Sequence, residues 1–152
     1  MADLKFDESL VVVIDDPEST EKVEETIANT LLSHAYVKPS YVGAIAEREK
    51  SFPTALEVGG VNVAIPHCDV EHVVTGAICA GILKNPVAWH RMDDPDATCD
   101  VSLVFMLALN EPHAHLEMIQ KVIGIIQDQE LAKELVGCDA PGAYALLKDR
   151  LA

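Results

Sequence analysis

Basic residues are scarce in this chain. Eleven Lys and Arg stand against 25 Asp and Glu in 152 residues, a formal net charge of −14. A surface of that sign repels nucleic-acid backbones and anionic lipid, so neither is an expected partner. Long apolar runs are also missing. The greasiest stretches, residues 73–83 and 101–109, are strand-sized and well short of the ~20 residues a membrane-spanning helix needs. The opening Met-Ala-Asp-Leu-Lys has no basic-then-apolar export layout, which predicts a soluble protein that stays in the cytoplasm. The four cysteines, at 68, 79, 99 and 138, form no Cys-x-x-Cys pair. Reduced thiols are therefore expected, not a disulfide framework or a zinc site. No repeat, low-complexity tract or linker interrupts the chain. Without a Gly-x-Ser-x-Gly there is no support for a serine hydrolase. Gly59-Gly60 lacks the Gly-Lys-Ser/Thr sequel of a phosphate-cradling loop.

What is present is enough apolar material for a core. Hydrophobic residues make up 49% and charged residues 24%, and the length suits one domain over residues 1–152. Residues 10–14 predict a short strand. Pro17, with Ser19 and Thr20 as capping candidates, opens a helix over about 19–35, where Val23, Ile27, Leu31 and His34 recur at helical spacing. Pro39-Ser40 opens a second helix to about Lys50. On its helical wheel Tyr41, Ile45, Arg48 and Phe52 share one stripe, while Glu47 and Lys50 point elsewhere.

Leu56-Glu57-Val58, the turn Gly59-Gly60 and residues 61–65 read as a hairpin, ended by Pro66. His67 follows at the mouth of a loop. Residues 73–83 read as a strand, Val87-Ala88-Trp89 as a short edge strand, and 101–109 as a strand buried on both faces. A helix then starts near Pro112. His115, Ile119, Val122 and Ile126 lie on its inner stripe, flanked by Met118, Ile123 and Ile125, with His113 on the opposite side. Residues 130–136 and 140–151 read as two closing helices with Gly137 as a stop between them. Strands that are grouped, not strictly alternating with helices, predict an α/β fold with a mixed β-sheet sandwiched between helices.

Three polar groups sit at costly or prominent places. Arg48 on an apolar stripe stays charged and requires an anion. That anion is either a carboxylate such as Glu57 or Glu111, or a phosphate-like group that comes and goes. His115, on an inward face, is either a satisfied core group or a functional one. His67, at a strand end, is either a turn residue or a nucleophile presented by a rigid element. Metal binding is a weak rival. His67, Cys68, His72, His113 and His115 offer ligand atoms, but His113 and His115 face opposite ways on one helix and cannot share an ion.

Two segments taken together, Arg48-Glu49-Lys50-Ser51-Phe52-Pro53-Thr54-Ala55-Leu56 and Val63-Ala64-Ile65-Pro66-His67, resemble the IIA domains of the fructose–mannitol class in the bacterial sugar phosphotransferase system. Asp69-x-Glu71-His72-Val73 and Leu83-Lys84-Asn85-Pro86-Val87 resemble the galactitol-type members in particular. So does Val104-Phe105-Met106-Leu107-Ala108, followed by Pro112-His113-x-His115-Leu116 and Met118. The likeness runs from about residue 8 to 150.

The resemblance implies the fold of those domains and a phosphocarrier activity. His67 would accept a phosphoryl group from phospho-HPr and pass it to a cysteine on a IIB component, for sugar entering through a membrane IIC component. Arg48 matches the family's arginine, and His115 matches its second histidine through the His-Leu pair. The helical wheel picks the same histidine. No metal or other cofactor is implied. Cys68, His34, His72 and His90 are left as bystanders or structural residues. Docking is expected through apolar residues around the His67 loop. Nitrogen-type IIA paralogues share the fold and act as regulators by protein binding, which is the alternative reading; a binding module whose histidine is never phosphorylated is a third. One departure is Ala55, where the family usually has the glycine of Pro-Thr-Gly-Leu. It implies that ordinary backbone suffices at that turn.

Overall fold

The computed structural model describes residues 4–151, except for the side chains of Pro112, Ala114 and His115. The strands are β1 (Val11–Ile14), β2 (Ala55–Leu56), β3 (Asn62–Ala64), β4 (Ala77–His90) and β5 (Thr98–Ala108). The helices are α1 (Thr20–Ser33), α2 (Ser40–Ser51), α3 (Pro112–Gln127), α4 (Gln129–Val136) and α5 (Ala140–Leu147). The strands form one five-stranded sheet in the order β1-β4-β5-β3-β2. β4 runs parallel to β1 and antiparallel to β5; β3 runs parallel to β5 and antiparallel to β2. This is the mixed sheet expected from the grouping of strands.

The period of two along β4 and β5 builds two cores, one on each face of the sheet. Cys79, Leu83, Val104 and Met106 face α1 and α2 and pack with Val23, Ile27, Leu31, Tyr41 and Ile45. Ile78, Ile82, Leu103 and Phe105 face the other way and pack with Val122, Ile125, Leu135 and Leu147 of α3, α4 and α5. The continuous apolar runs of β4 and β5 are thus required by burial on both faces. Of the two capping candidates, Ser19 caps α1, its Oγ accepting from the Lys22 N–H at 3.2 Å. Thr20 instead donates to the Ala88 carbonyl at 3.0 Å.

The structure corrects some boundaries. Val87-Ala88-Trp89 is not a separate edge strand. It is the far half of β4, which continues past an irregularity between Ile82 and Val87 and still pairs with β5, Trp89 opposite Cys99. Pro86 cannot donate to the ladder, but β5 is long enough to resume it beyond the break. Ile123 is partly exposed while its neighbours Val122 and Ile125 are buried, so the inner stripe of α3 is narrower than its sequence suggests. Gly137 does end α4, but at φ −88, so no left-handed conformation is needed there.

The hairpin turn does need one: Gly59 has φ 81. Ala55 lies in ordinary extended backbone, paired with Ala64, so the missing family glycine leaves no strain. All four cysteines are free thiols. No helix among the described residues is long and apolar enough to cross a membrane.

Gly81 in the middle of β4 sets how closely α1 approaches the sheet. A Cβ placed there would lie 2.6 Å from Cδ1 of the buried Ile27. Gly81→Val is expected to lower unfolding stability by about 1–3 kcal/mol through overpacking. Urea unfolding checks this, and an unchanged midpoint would mean that α1 has slack against the sheet.

Candidate functional site

His67 leaves the sheet just beyond β3. Pro66 ends that strand, and the Pro66 carbonyl accepts from the Leu107 N–H at 2.9 Å, which fastens the loop mouth to the end of β5. The ring is half-buried, and its Nδ1 is 2.8 Å from the Ile65 carbonyl oxygen. A carbonyl can only accept, so Nδ1 carries the proton and the lone pair of the neutral ring sits on Nε2. Burial lowers the imidazole pKa from its ordinary value, the Ile65 hydrogen bond opposes that, and the Arg48 charge adds to the fall. Near neutral pH the ring is therefore uncharged, the form able to act as a nucleophile.

Arg48 sits in the last turn of α2 on the same side of the molecule, close enough for its charge to act on His67. The apolar stripe that carries it is buried at Tyr41 and Ile45 and emerges at Phe52, which is 64% exposed. Arg48 itself is half-exposed, with its guanidinium carbon 5.3 Å from the centre of the Phe52 ring. Its carboxylate neighbour is Asp69, at 3.6 Å, and not Glu57 or Glu111. Glu57 faces Arg91 instead, at 3.9 Å. Asp69 is largely exposed, and an ion pair that open to water holds the guanidinium weakly. Arg48, Ser51 and Phe52 on one side and Cys68, Asp69 and His72 on the other line a depression of about 300 Å³.

His115 lies in the first turn of α3, but its side chain is outside the described residues. His113 is exposed. His72 has a structural role: its Nδ1 is 2.8 Å from Ser40 Oγ, tying the turn after His67 to the start of α2. His34 and His90 likewise bond locally, to Thr30 and Pro95 carbonyls, each at 2.8 Å. The Cys68 thiol is buried, and that burial, with the Asp69 charge, pushes it up to about 12, so it stays protonated. Among the described residues, no group of three or more His, Cys, Asp or Glu is arranged to hold a metal.

Four residues organise this region in roles the sequence reading did not assign. Glu49, next to Arg48, is buried and accepts from the Thr54 N–H at 2.6 Å, the Thr54 hydroxyl at 2.8 Å and the Trp89 indole at 3.1 Å. Thr54 Oγ1 in turn accepts from the Ile65 N–H at 3.2 Å. Tyr41, on α2, is buried and donates its hydroxyl to the Leu107 carbonyl at 2.8 Å. The fourth is Asp69, two residues past His67. Its spacing from His67 and its place in the galactitol-like Asp69-x-Glu71-His72 segment were the available signals. Tyr41 and Glu49 had one too, since with Ile45 they form an i, i+4, i+8 series along α2.

The family model described as phosphoenolpyruvate-dependent sugar phosphotransferase system, EIIA 2, matches residues 5–149. The chain belongs to that family. The galactitol-specific EIIA component of Escherichia coli (strain K12) is 30% identical over 110 residues, covering 72% of this chain and 73% of that protein. The crystal structure of the mannitol IIA from Escherichia coli has a TM-score of 0.77 at 21% identity, over 98% of this chain and 100% of that one. The Escherichia coli complex of the mannitol enzyme IIA with phosphorylated enzyme IIB gives a TM-score of 0.78 at 21% identity, over 96% and 99%. At these identities the two structures establish the shared fold.

Two measurements probe the site. Tyr41→Phe leaves the Leu107 carbonyl without its buried donor and is expected to cost about 1–3 kcal/mol; a neutral effect in urea unfolding would remove Tyr41 from the framework. His67 should titrate by NMR below the ordinary histidine value. Since the unfolded chain then binds the extra proton first, His67 contributes a stability that falls as pH drops through that ordinary value. A His67 midpoint above 6.5 would contradict the burial reading.

Proposed function

We propose that this chain is the phosphocarrier IIA component of a bacterial sugar phosphotransferase system of galactitol type, acting as one domain in the cytoplasm. The carrying observation is the pairing of His67, its tautomer fixed by the Ile65 carbonyl, with the Arg48 guanidinium on the same side. Nε2 of His67 attacks the phosphorus of phospho-HPr in line. The donor's P–N bond breaks as the new P–Nε2 bond forms, and the proton stays on Nδ1, hydrogen-bonded to the Ile65 carbonyl. A thiolate of the IIB cysteine then attacks the same phosphorus, the P–Nε2 bond breaking as the S–P bond forms, and His67 returns to its neutral state. The group leaves IIB for sugar entering through IIC.

The transferring phosphoryl group spreads its charge over three oxygens, so positioning and positive charge carry the catalysis. Arg48 supplies that charge after loosening from Asp69, and His115 is assigned a donor role. No metal or other cofactor enters the step. The galactitol assignment draws on the Escherichia coli relative, and the IIB partner on the mannitol IIA–IIB complex. Phe52, 64% exposed beside Arg48, supplies apolar docking surface on this side.

Incubation with phosphoenolpyruvate, the first enzyme of the system and HPr is expected to add one acid-labile phosphoryl group. His67→Ala should abolish it, and persistent labelling would move the site elsewhere. Arg48→Ala should slow labelling by roughly 100-fold or more while shifting stability little; equal losses of both would make Arg48 structural. Label that never passes to a IIB protein would favour the regulatory, nitrogen-type alternative.

A further inference from the structure

A second concavity, of about 420 Å³, opens between the start of α1, the later turns of α2 and the far half of β4. None of its lining residues lines the depression beside Arg48. Its size falls within the range of small-molecule sites, roughly 300–1,000 Å³. Glu18, Glu21, Glu24 and Glu49 contribute to it, against Lys50 and His90. The walls between these charges are apolar, from Pro17, Pro86 and Val87.

The two buried carboxyls differ. Glu49 has both oxygens engaged by Thr54 and Trp89. Glu24 is only 3% exposed, and its Oε2 has no hydrogen-bond partner among the described residues. A buried carboxyl oxygen without a donor is costly, and its place in the wall of a cavity points to a donor that arrives from outside. A hard divalent cation is disfavoured. It needs six or more oxygens, and no cluster of three acidic, histidine or cysteine ligands is formed among the described residues. A charge balance that is negative, with apolar walls, suits a cationic N–H head on a short hydrocarbon stem.

We propose that this cavity binds a small primary ammonium compound, its N–H groups donating to Glu24 and its stem lying against the Pro86 and Val87 wall. The protons balance simply. In the empty site burial raises the Glu24 carboxyl to about 8, the Glu49 and Glu21 charges adding to the rise and Lys50 opposing it. Around it stand Glu21 on α1, Glu49 and Lys50 on α2, His90 on β4 and Glu18 ahead of α1. At neutral pH Glu24 therefore holds a proton, and an incoming ammonium group displaces it to solvent.

The single tryptophan of the chain, Trp89, lines the cavity and reports on it. Titration with n-butylamine at pH 7 is expected to change its emission saturably, with Kd on the order of 1 mM or tighter. Calorimetry in two buffers of different ionisation enthalpy should show proton release on binding. Glu24→Gln should weaken binding about 10-fold or more, and should fold at least as well as the parent above pH 8, since the carboxyl at position 24 then no longer has to ionise in a buried place. Should that variant fail to fold, the proton-release measurement on the unaltered protein decides. Equal binding of 1-butanol, the same response to KCl or MgCl₂, no saturable change, or no proton release would each overturn the proposal.

Discussion

The geometry around His67 depends on one buried carboxylate, Glu49. Burial raises its pKa, and three hydrogen bonds, two from Thr54 and one from Trp89, work against that rise and hold the group in place. Through Thr54 it fixes the backbone of Ile65, and the Ile65 carbonyl fixes the proton on His67. Because Glu49 follows Arg48 in the chain, the same anchor sets where α2 ends and where the guanidinium stands. A second tie, Tyr41 to the Leu107 carbonyl, joins that helix to the strand end that holds Pro66. The ring and the guanidinium are therefore positioned by one connected framework, with few independent loops.

Arg48 has a different kind of restraint. Its neighbour Asp69 lies on the surface, and the pair is separated by 3.6 Å. In water such a pair is worth little, so an anion with more charge and better geometry displaces Asp69 easily. Overall the molecule carries a charge of −14, which disfavours the approach of free anions. On the phosphocarrier reading proposed above, such a site suits a phosphoryl group delivered by a docked protein better than one captured from solution.

Much of the fold was readable from periodicity. α1, α2 and the apolar interior of β5 follow from spacing because burial enforces spacing. The far half of β4 was not, because Asn85-Pro86 looks like local punctuation while the pairing that overrides it lies on another strand. Nor was the burial of Glu24 and Glu49. Charged residues on helices read as solvent-facing, yet each sits in line with an apolar stripe, Val23–Ile27–Leu31 in one case and Tyr41–Ile45 in the other. Arg48 and His67 were brought together by family resemblance, since no spacing argument links a helix end to a strand end. The carboxylate opposite Arg48 was misjudged because it depends on how the turn after His67 is fastened, through His72 and Ser40.

β4 outruns its neighbour: β1 stops opposite Leu83, and the strand carries on to His90. That leaves a stretch of sheet margin where another chain could add itself. Pro86 offers no N–H there, Asn85 turns its amide to the Asp15 carbonyl at 2.9 Å, and the Thr20 hydroxyl occupies the Ala88 carbonyl. The residues that break the regular pattern of this strand thereby guard its open flank and keep its unpaired backbone from templating fibres.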